Sequence, residues 1–310
     1  MASFADRLTH LTLSKDSRAV VGLDPRIDQM PAFIDASDPC AAITAFHEMV
    51  LDAVADLVPA VKPQLAFFEQ YGIAGMRAFE NTVRAAKQRG FLVIADGKRN
   101  DISSTAEAYA NAYLSPAGFD CDALTVTPYM GRDSLEPFVG ACQKYGKGIF
   151  VILKTSNPGS RDFEDQTLES TGHPLYEKIG DTISELGLKL VGDSGYSSIG
   201  AVVGATFPEE GRRLRELMPK TLILVPGYGA QGGSAKSAAE CFNEDGLGAI
   251  VNSSRGITYA FGDRGISREA FIESVRENTL RMIREVNEAV NPASPQTPLQ
   301  SLASPPESEQ

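Results

Sequence analysis

Residues 96–101 read Asp-Gly-Lys-Arg-Asn-Asp and follow directly on the apolar run 91–95. Side chains two apart in a strand point to one side, so Asp96 and Lys98 are expected to emerge together where a strand ends. Asp101 would follow at the loop or at the start of a helix. An ammonium bracketed by two carboxylates stays charged, which makes it a poor nucleophile and a well-placed proton donor. The chemistry such a trio offers is protonation of a carbon, not Schiff-base formation. A lone D-x-K-x-x-D is more often an ion pair closing a strand, because structural networks also perturb titration. The surroundings reverse that reading here.

Apolar, β-branched runs recur with helical stretches between them, at 19–23, 60–65, 91–95, 123–127, 148–153, 199–204, 221–225 and 248–251. Near-continuous apolar strands alternating with helices imply a parallel sheet covered by helices, and eight of them suggest closure. The expected fold is α/β, a single-domain (β/α)8 TIM barrel over residues 1–290. Its active-site groups would then sit at the C-terminal strand ends. Those ends are chemically unusual: Asp24-Pro25, Lys62-Pro-Gln64, Asp96-Gly-Lys98, Thr127-Pro128, Thr155-Ser-Asn-Pro-Gly159, Ala205-Thr206, Pro226-Gly-Tyr-Gly-Ala-Gln-Gly-Gly233 and Asn252-Ser-Ser-Arg-Gly256. A purely structural barrel has no need of polar and glycine-rich residues at most of its strand ends, so the mouth reads as a site.

The formal net charge is −11, from 40 acidic against 29 basic residues, which argues against a nucleic-acid or anionic-membrane partner. A small anionic substrate is compatible, since local arginines and backbone amides decide that. Cys40, Cys121, Cys142 and Cys241 show no metal-ligand spacing and read as buried free thiols of a reducing compartment. His10, His47 and His173 lie outside the strand-end motifs, which argues against a histidine triad or zinc site. The N-terminus lacks a basic-apolar signal pattern, and Phe4, Leu8 and Leu11 have helical spacing suited to a helix closing the barrel floor. With no apolar run of about twenty residues, no membrane span is expected and a soluble, cytoplasmic protein is. Residues 291–310 are Pro/Ser-rich and apolar-poor, as in a disordered tail. The stretch 157–174 is long for a loop inside a barrel and is either a lid or a passive insertion.

In many barrels the loops after the seventh and eighth strands bind phosphate through backbone N–H groups. Here they carry the glycine-rich 226–233 segment and Ser253-Ser-Arg-Gly256. Glycines admit an anion close to the backbone, Gln231 can donate an amide hydrogen bond, and Arg255 supplies a forked cation.

Together these residues resemble the orotidine 5′-phosphate decarboxylase family, most closely its type 2 branch with longer chains and an A-D-G-K-R-x-D-I segment. The resemblance runs from Phe4 to Val290. It rests on G-L-D-P at 22–25, K-P-Q at 62–64, D-G-K-R-N-D-I at 96–102 with Thr105 following, T-S-N-P-G at 155–159, P-G-Y-G-A-Q-G-G at 226–233 and S-S-R-G at 253–256. Ser103 departs from the pattern, where the family more usually has Gly or Pro, and puts the local turn and the dimer contact in question.

The resemblance implies loss of CO2 from C6 of orotidine 5′-monophosphate to give UMP, the last step of de novo pyrimidine nucleotide synthesis, with no cofactor and no metal. It implies that Asp24, Lys62 and Asp101 hold the ribose hydroxyls and that Asp96, Lys98 and Asp101 form a charged array by the scissile carboxylate. Ile102 and Thr105 would contact substrate from the neighbouring subunit of a homodimer with shared sites. Ser156 would hydrogen-bond the pyrimidine, and Pro226, Gln231, Ser254 and Arg255 would hold the base edge and the phosphate. The physics agrees: a C6 carbanion has no adjacent group to delocalise it, so preorganised charge must stabilise it. Lys98 would do so and then protonate it, while Asp96 could repel the departing carboxylate. The remote phosphate would lend binding energy, with a closing Gln231 loop as the means. The rivals are a metal-dependent sugar-phosphate lyase of the same superfamily, such as hexulose-phosphate synthase, and a silent nucleotide-binding barrel.

Overall fold

Eight parallel strands close on themselves in sequence order. They are β1 (Ala19–Leu23), β2 (Ala60–Pro63), β3 (Leu92–Arg99), β4 (Ala123–Val126), β5 (Gly148–Lys154), β6 (Ser197–Val203), β7 (Thr221–Val225) and β8 (Ala249–Ser253). The helices are α1 (Phe4–Ser14), α2 (Pro39–Val54), α3 (Leu65–Glu69), α4 (Gly72–Gln88), α5 (Ser103–Leu114), α6 (Arg132–Tyr145), α7 (Leu175–Gly187), α8 (Pro208–Leu217), α9 (Ala235–Ala239), α10 (Arg255–Thr258) and α11 (Arg268–Val290). This computed structural model describes residues 2–229 and 232–291; Gln231 and all of the expected tail but Asn291 lie outside the described residues. The expected (β/α)8 barrel is what the chain forms.

Strand alternation divides the core. Val20, Ala60, Leu92, Ile94, Ala123, Phe150, Leu222, Leu224 and Ile250 fill the barrel interior. Their neighbours Val21, Val61, Val93, Leu124, Val151, Ile223 and Val251 face the helices. Both faces are apolar and buried, so the sequence reads as unbroken hydrophobic runs, each valine, leucine, isoleucine or phenylalanine contributing about 1.5–3 kcal/mol of burial. Helix α1 starts at a capping box between Ser3 and Asp6 and plugs the floor. Phe4 meets Phe150 edge-on at 5.9 Å, and Leu8 is buried beside them.

The boundaries differ from expectation where polar groups intervene. β2 ends at Pro63 and Leu65 already belongs to α3, since proline offers no N–H to continue a ladder. β3 continues four residues past Ala95, through the charged motif itself to Arg99, with a register irregularity against β4. All four cysteines are unpaired; three are buried, while Cys40 is only half-buried. Among the described residues no helix is long and apolar enough to cross a membrane.

Candidate active site

The polar residues at the mouth follow the same alternation as the core beneath them. Lys62 continues the inward series from Ala60, Asp96 the series from Leu92 and Ile94, and Thr125 that from Ala123. They line a cavity of about 370 Å³ at the C-terminal strand ends, floored by Ile152, Val202 and Leu224.

Asp96 is the hub. Its Oδ2 accepts from Lys62 Nζ at 2.6 Å and from Gln64 Nε2 at 2.9 Å. Its Oδ1 accepts from Lys98 Nζ at 2.7 Å and from the Thr125 hydroxyl at 2.9 Å. Burial alone would raise this carboxyl, but the two ammonium groups outweigh it and hold Asp96 well below the usual range. Burial would likewise lower Lys62; the Asp96 and Asp24 carboxylates prevail and raise it. The pair is ionised on both sides. Asp24 is pushed the other way: burial raises it against the pull of Lys62 and a hydrogen bond from Ser254, and its Oδ1 is buried with no partner. An orphaned carboxylate oxygen facing a cavity is a place for a ligand hydroxyl.

Lys98 takes a backbone conformation that side chains other than glycine's adopt at a cost, φ +47°. Its N–H donates to Thr125 Oγ1 at 2.9 Å, which fixes the turn so that the half-exposed ammonium reaches back over the cavity to Asp96. The expected bracketing by two carboxylates is not met within one chain. Among the described residues Asp96 is the carboxylate within ion-pair distance of Lys98, whereas Asp101 Oδ1 accepts from the Ile102 N–H at 2.7 Å. The extension of β3 through the motif carries Asp101 past the rim. It, the exposed Ile102 and the exposed Thr105 do not line the cavity. Ser103, the departure noted above, sits at φ +48°, a conformation glycine adopts without strain.

At the far end, Pro226, Ser254 and Arg255 line the cavity together with Tyr228. Gly22 makes room for this corner: a Cβ there would lie 1.8 Å from Ser254 Oγ. Arg255 is exposed and, among the described residues, lies beyond ion-pair distance of every carboxylate. Ser156 lines the wall between the two ends, and Gln231 lies outside the described residues.

Asp24, Lys62, Asp96, Lys98, Ser156, Pro226, Ser254 and Arg255 are thus brought together as expected. Sequence reasoning assigned no site role to Gln64, Thr125, Thr155 or Asn252, which also line the cavity. Thr125 and Asn252 were findable by parity, as lone polar residues at inward positions of apolar strands.

Comparison with known proteins matches residues 20–270 to the Orotidine 5′-phosphate decarboxylase / HUMPS family. The orotidine 5′-phosphate decarboxylase of Rhodopirellula baltica is 46% identical over 298 residues, covering 91% of this chain and 98% of that one. The structure of Leishmania donovani OMP decarboxylase superposes with a TM-score of 0.72 at 31% identity, covering 94% of this chain and 100% of that one. Leishmania donovani UMP synthase superposes with a TM-score of 0.75 at 32% identity over 94% of this chain, which spans only 57% of that protein's length. A closed barrel whose mouth carries this lysine–aspartate array, matched over most of its length, belongs to the orotidine 5′-phosphate decarboxylase / HUMPS family.

Proposed function

We propose that the chain converts orotidine 5′-monophosphate to UMP and CO2. The observation that supports this most is the Asp96 carboxylate, with both oxygens taken by four donors, two of them ammonium groups. That arrangement is fixed before substrate arrives, which is what stabilising an undelocalised carbanion requires. The C6–carboxylate bond breaks, its electron pair stays on C6, and a proton passes from Lys98 Nζ to that carbon. Asp96 holds Lys98 in position and, as an anion, disfavours a substrate carboxylate beside it.

The other roles are those the family resemblance implies, and the cavity lining supports them for the described residues. Asp24, with its orphaned oxygen, and Lys62 hold ribose hydroxyls; Ser156 meets the pyrimidine; Pro226, Ser254 and Arg255, with Gln231, take the base edge and the phosphate. The site is completed in a homodimer by Asp101, Ile102 and Thr105 of the neighbouring subunit. The exposure of Ile102, together with Tyr129 and Met130 at the next strand end, supports that contact. The unpaired cysteines support a reducing, cytoplasmic setting.

Full occupation of Asp96 also weighs against the metal-dependent lyase, since each of its oxygens already carries an ammonium that would repel a divalent ion there. Loss of orotidine monophosphate ultraviolet absorbance on adding purified protein, undiminished by a chelator, is the expected result. No loss of absorbance would leave the silent binder and the lyase, and chelator-sensitive turnover of a sugar phosphate would then favour the lyase.

A further inference from the structure

The 157–174 excursion between β5 and α7 is fastened to the barrel by a charge that it buries. Lys154, the last residue of β5, has a fully enclosed side chain whose ammonium lies 2.5 Å from Asp165 Oδ1 and 3.6 Å from Glu164 Oε2. It also sits over the rings of Phe207 at 4.6 Å and Tyr176 at 5.6 Å. A lysine is buried so completely only when its charge is matched, and both matching carboxylates come from the excursion.

Glu164 has a second set of partners. Its Oε2 accepts the backbone N–H of Thr155 at 3.0 Å, and its Oε1 accepts the Thr155 hydroxyl at 2.7 Å. Thr155 and Ser156 are adjacent, and both line the cavity. Ser156 is confined from the opposite side as well. The Thr206 hydroxyl donates to its carbonyl at 3.2 Å, and a Cβ on Gly204 would lie 2.9 Å from its N, Cα and Cβ. The Glu164 backbone is itself tied down, its N–H donating to Ser160 O at 2.9 Å and its carbonyl accepting from Tyr176 N at 3.1 Å.

We propose that Glu164, anchored beside Asp165 on the buried Lys154, is a positioning residue that fixes Thr155 and through it Ser156, so that the excursion is a static brace for the base-recognising wall. It is then neither a lid nor a passive insertion. This rests on the reading that Ser156 faces the pyrimidine. A carboxylate suits the task because two donors from one residue each take one of its oxygens. Glutamine offers a single acceptor and turns an N–H2 toward a donor.

Binding of UMP and of ribose 5-phosphate, which has the sugar and phosphate but no base, tests the proposal on the full chain. Glu164→Gln and Thr155→Val should each weaken UMP by about tenfold, the scale of one hydrogen bond to a charged group, and leave ribose 5-phosphate within about twofold. Thr155→Ser, which keeps the hydroxyl, should bind both like wild type. Should Glu164→Gln not fold, the valine and serine variants carry the same comparison. The brace is overturned if UMP affinity is unchanged in the folded variants, or if both ligands weaken together. Ser156→Ala binding UMP like wild type would instead remove the reading of Ser156 on which the brace depends.

Discussion

Two lysines hold one carboxylate, and replacing each by methionine should separate folding from chemistry. The Lys62 side chain is 6% exposed and meets an Asp96 side chain that is 9% exposed, at 2.6 Å. Lys98 meets the same carboxylate at 2.7 Å with 47% of its side chain exposed. In Lys62→Met, Asp96 keeps one half-exposed ammonium and two neutral donors, and Asp24 loses its main stabilising cation. Breaking a buried pair in this way costs about 3–5 kcal/mol. Lys98, screened by water, contributes no more than about 1 kcal/mol to stability. At roughly 2–4 °C per kcal/mol for a chain of this size, Lys62→Met should melt some 6–20 °C lower, and Lys98→Met within about 4 °C of wild type. Activity should divide the opposite way for Lys98→Met, which should lose at least about 100-fold in kcat at saturating substrate while still binding UMP. Thermal denaturation without ligand and a saturating assay read the two effects. Equal melting losses in both variants would refute the division of labour, and substantial decarboxylation by Lys98→Met would end its role as proton donor.

Three further outcomes are expected. Mixing inactive Lys98→Ala and Asp101→Ala proteins should restore roughly a quarter of wild-type activity, because about half the re-associated dimers are mixed and each carries one intact site of two; a mixture that stays dead places Asp101 in its own chain's site. Arg255→Ala should lower kcat/KM by about 10- to 150-fold, the worth of a charge-assisted hydrogen bond, without altering the melting temperature, since the exposed guanidinium supports no ion pair among the described residues. Wild-type kinetics in that variant would mean that the phosphate lies elsewhere. His47 is buried against Thr82, and burial lowers its pKa from 6.5 to about 3. The unfolded chain therefore takes up the proton first as pH falls, so stability is full above pH 6.5 and drains away between 6.5 and 3. From pH 7 to 5 the urea-derived stability should drop by about 2 kcal/mol, and His47→Gln should flatten that slope; an unchanged slope would assign the acid sensitivity to other groups.

Much of the fold was legible because a parallel barrel strand is buried on both faces and writes itself as an apolar run. β1 and β7 coincide with their runs, and the others differ by one to four residues at an end. The helix under the floor was equally plain, because Phe4 and Leu8 are one turn apart and both must leave water. Of the site, what a strand carries was readable. Lys62 and Asp96 lie at positions whose direction the strand determines, and the cavity gathers them.

What escaped was whatever depends on the chain departing from the strand. The left-handed turn at Lys98 cannot be anticipated from strand alternation, yet it aims the ammonium back at Asp96 while the chain carries Asp101 away. Lys154 has the inward parity of Phe150 and Ile152, but the register slips between Ile152 and Lys154. Its ammonium is accordingly spent on the 157–174 excursion, not on the cavity. That excursion read as a lid or a passive insertion on its length, and nothing in the sequence says which way its four carboxylates, Asp162, Glu164, Asp165 and Glu169, point. Two of them in fact pair with the best-buried lysine in the chain. A solvated loop and a buried brace have the same composition; only the partner at the end of β5 distinguishes them, and that partner is fixed by the slip in register.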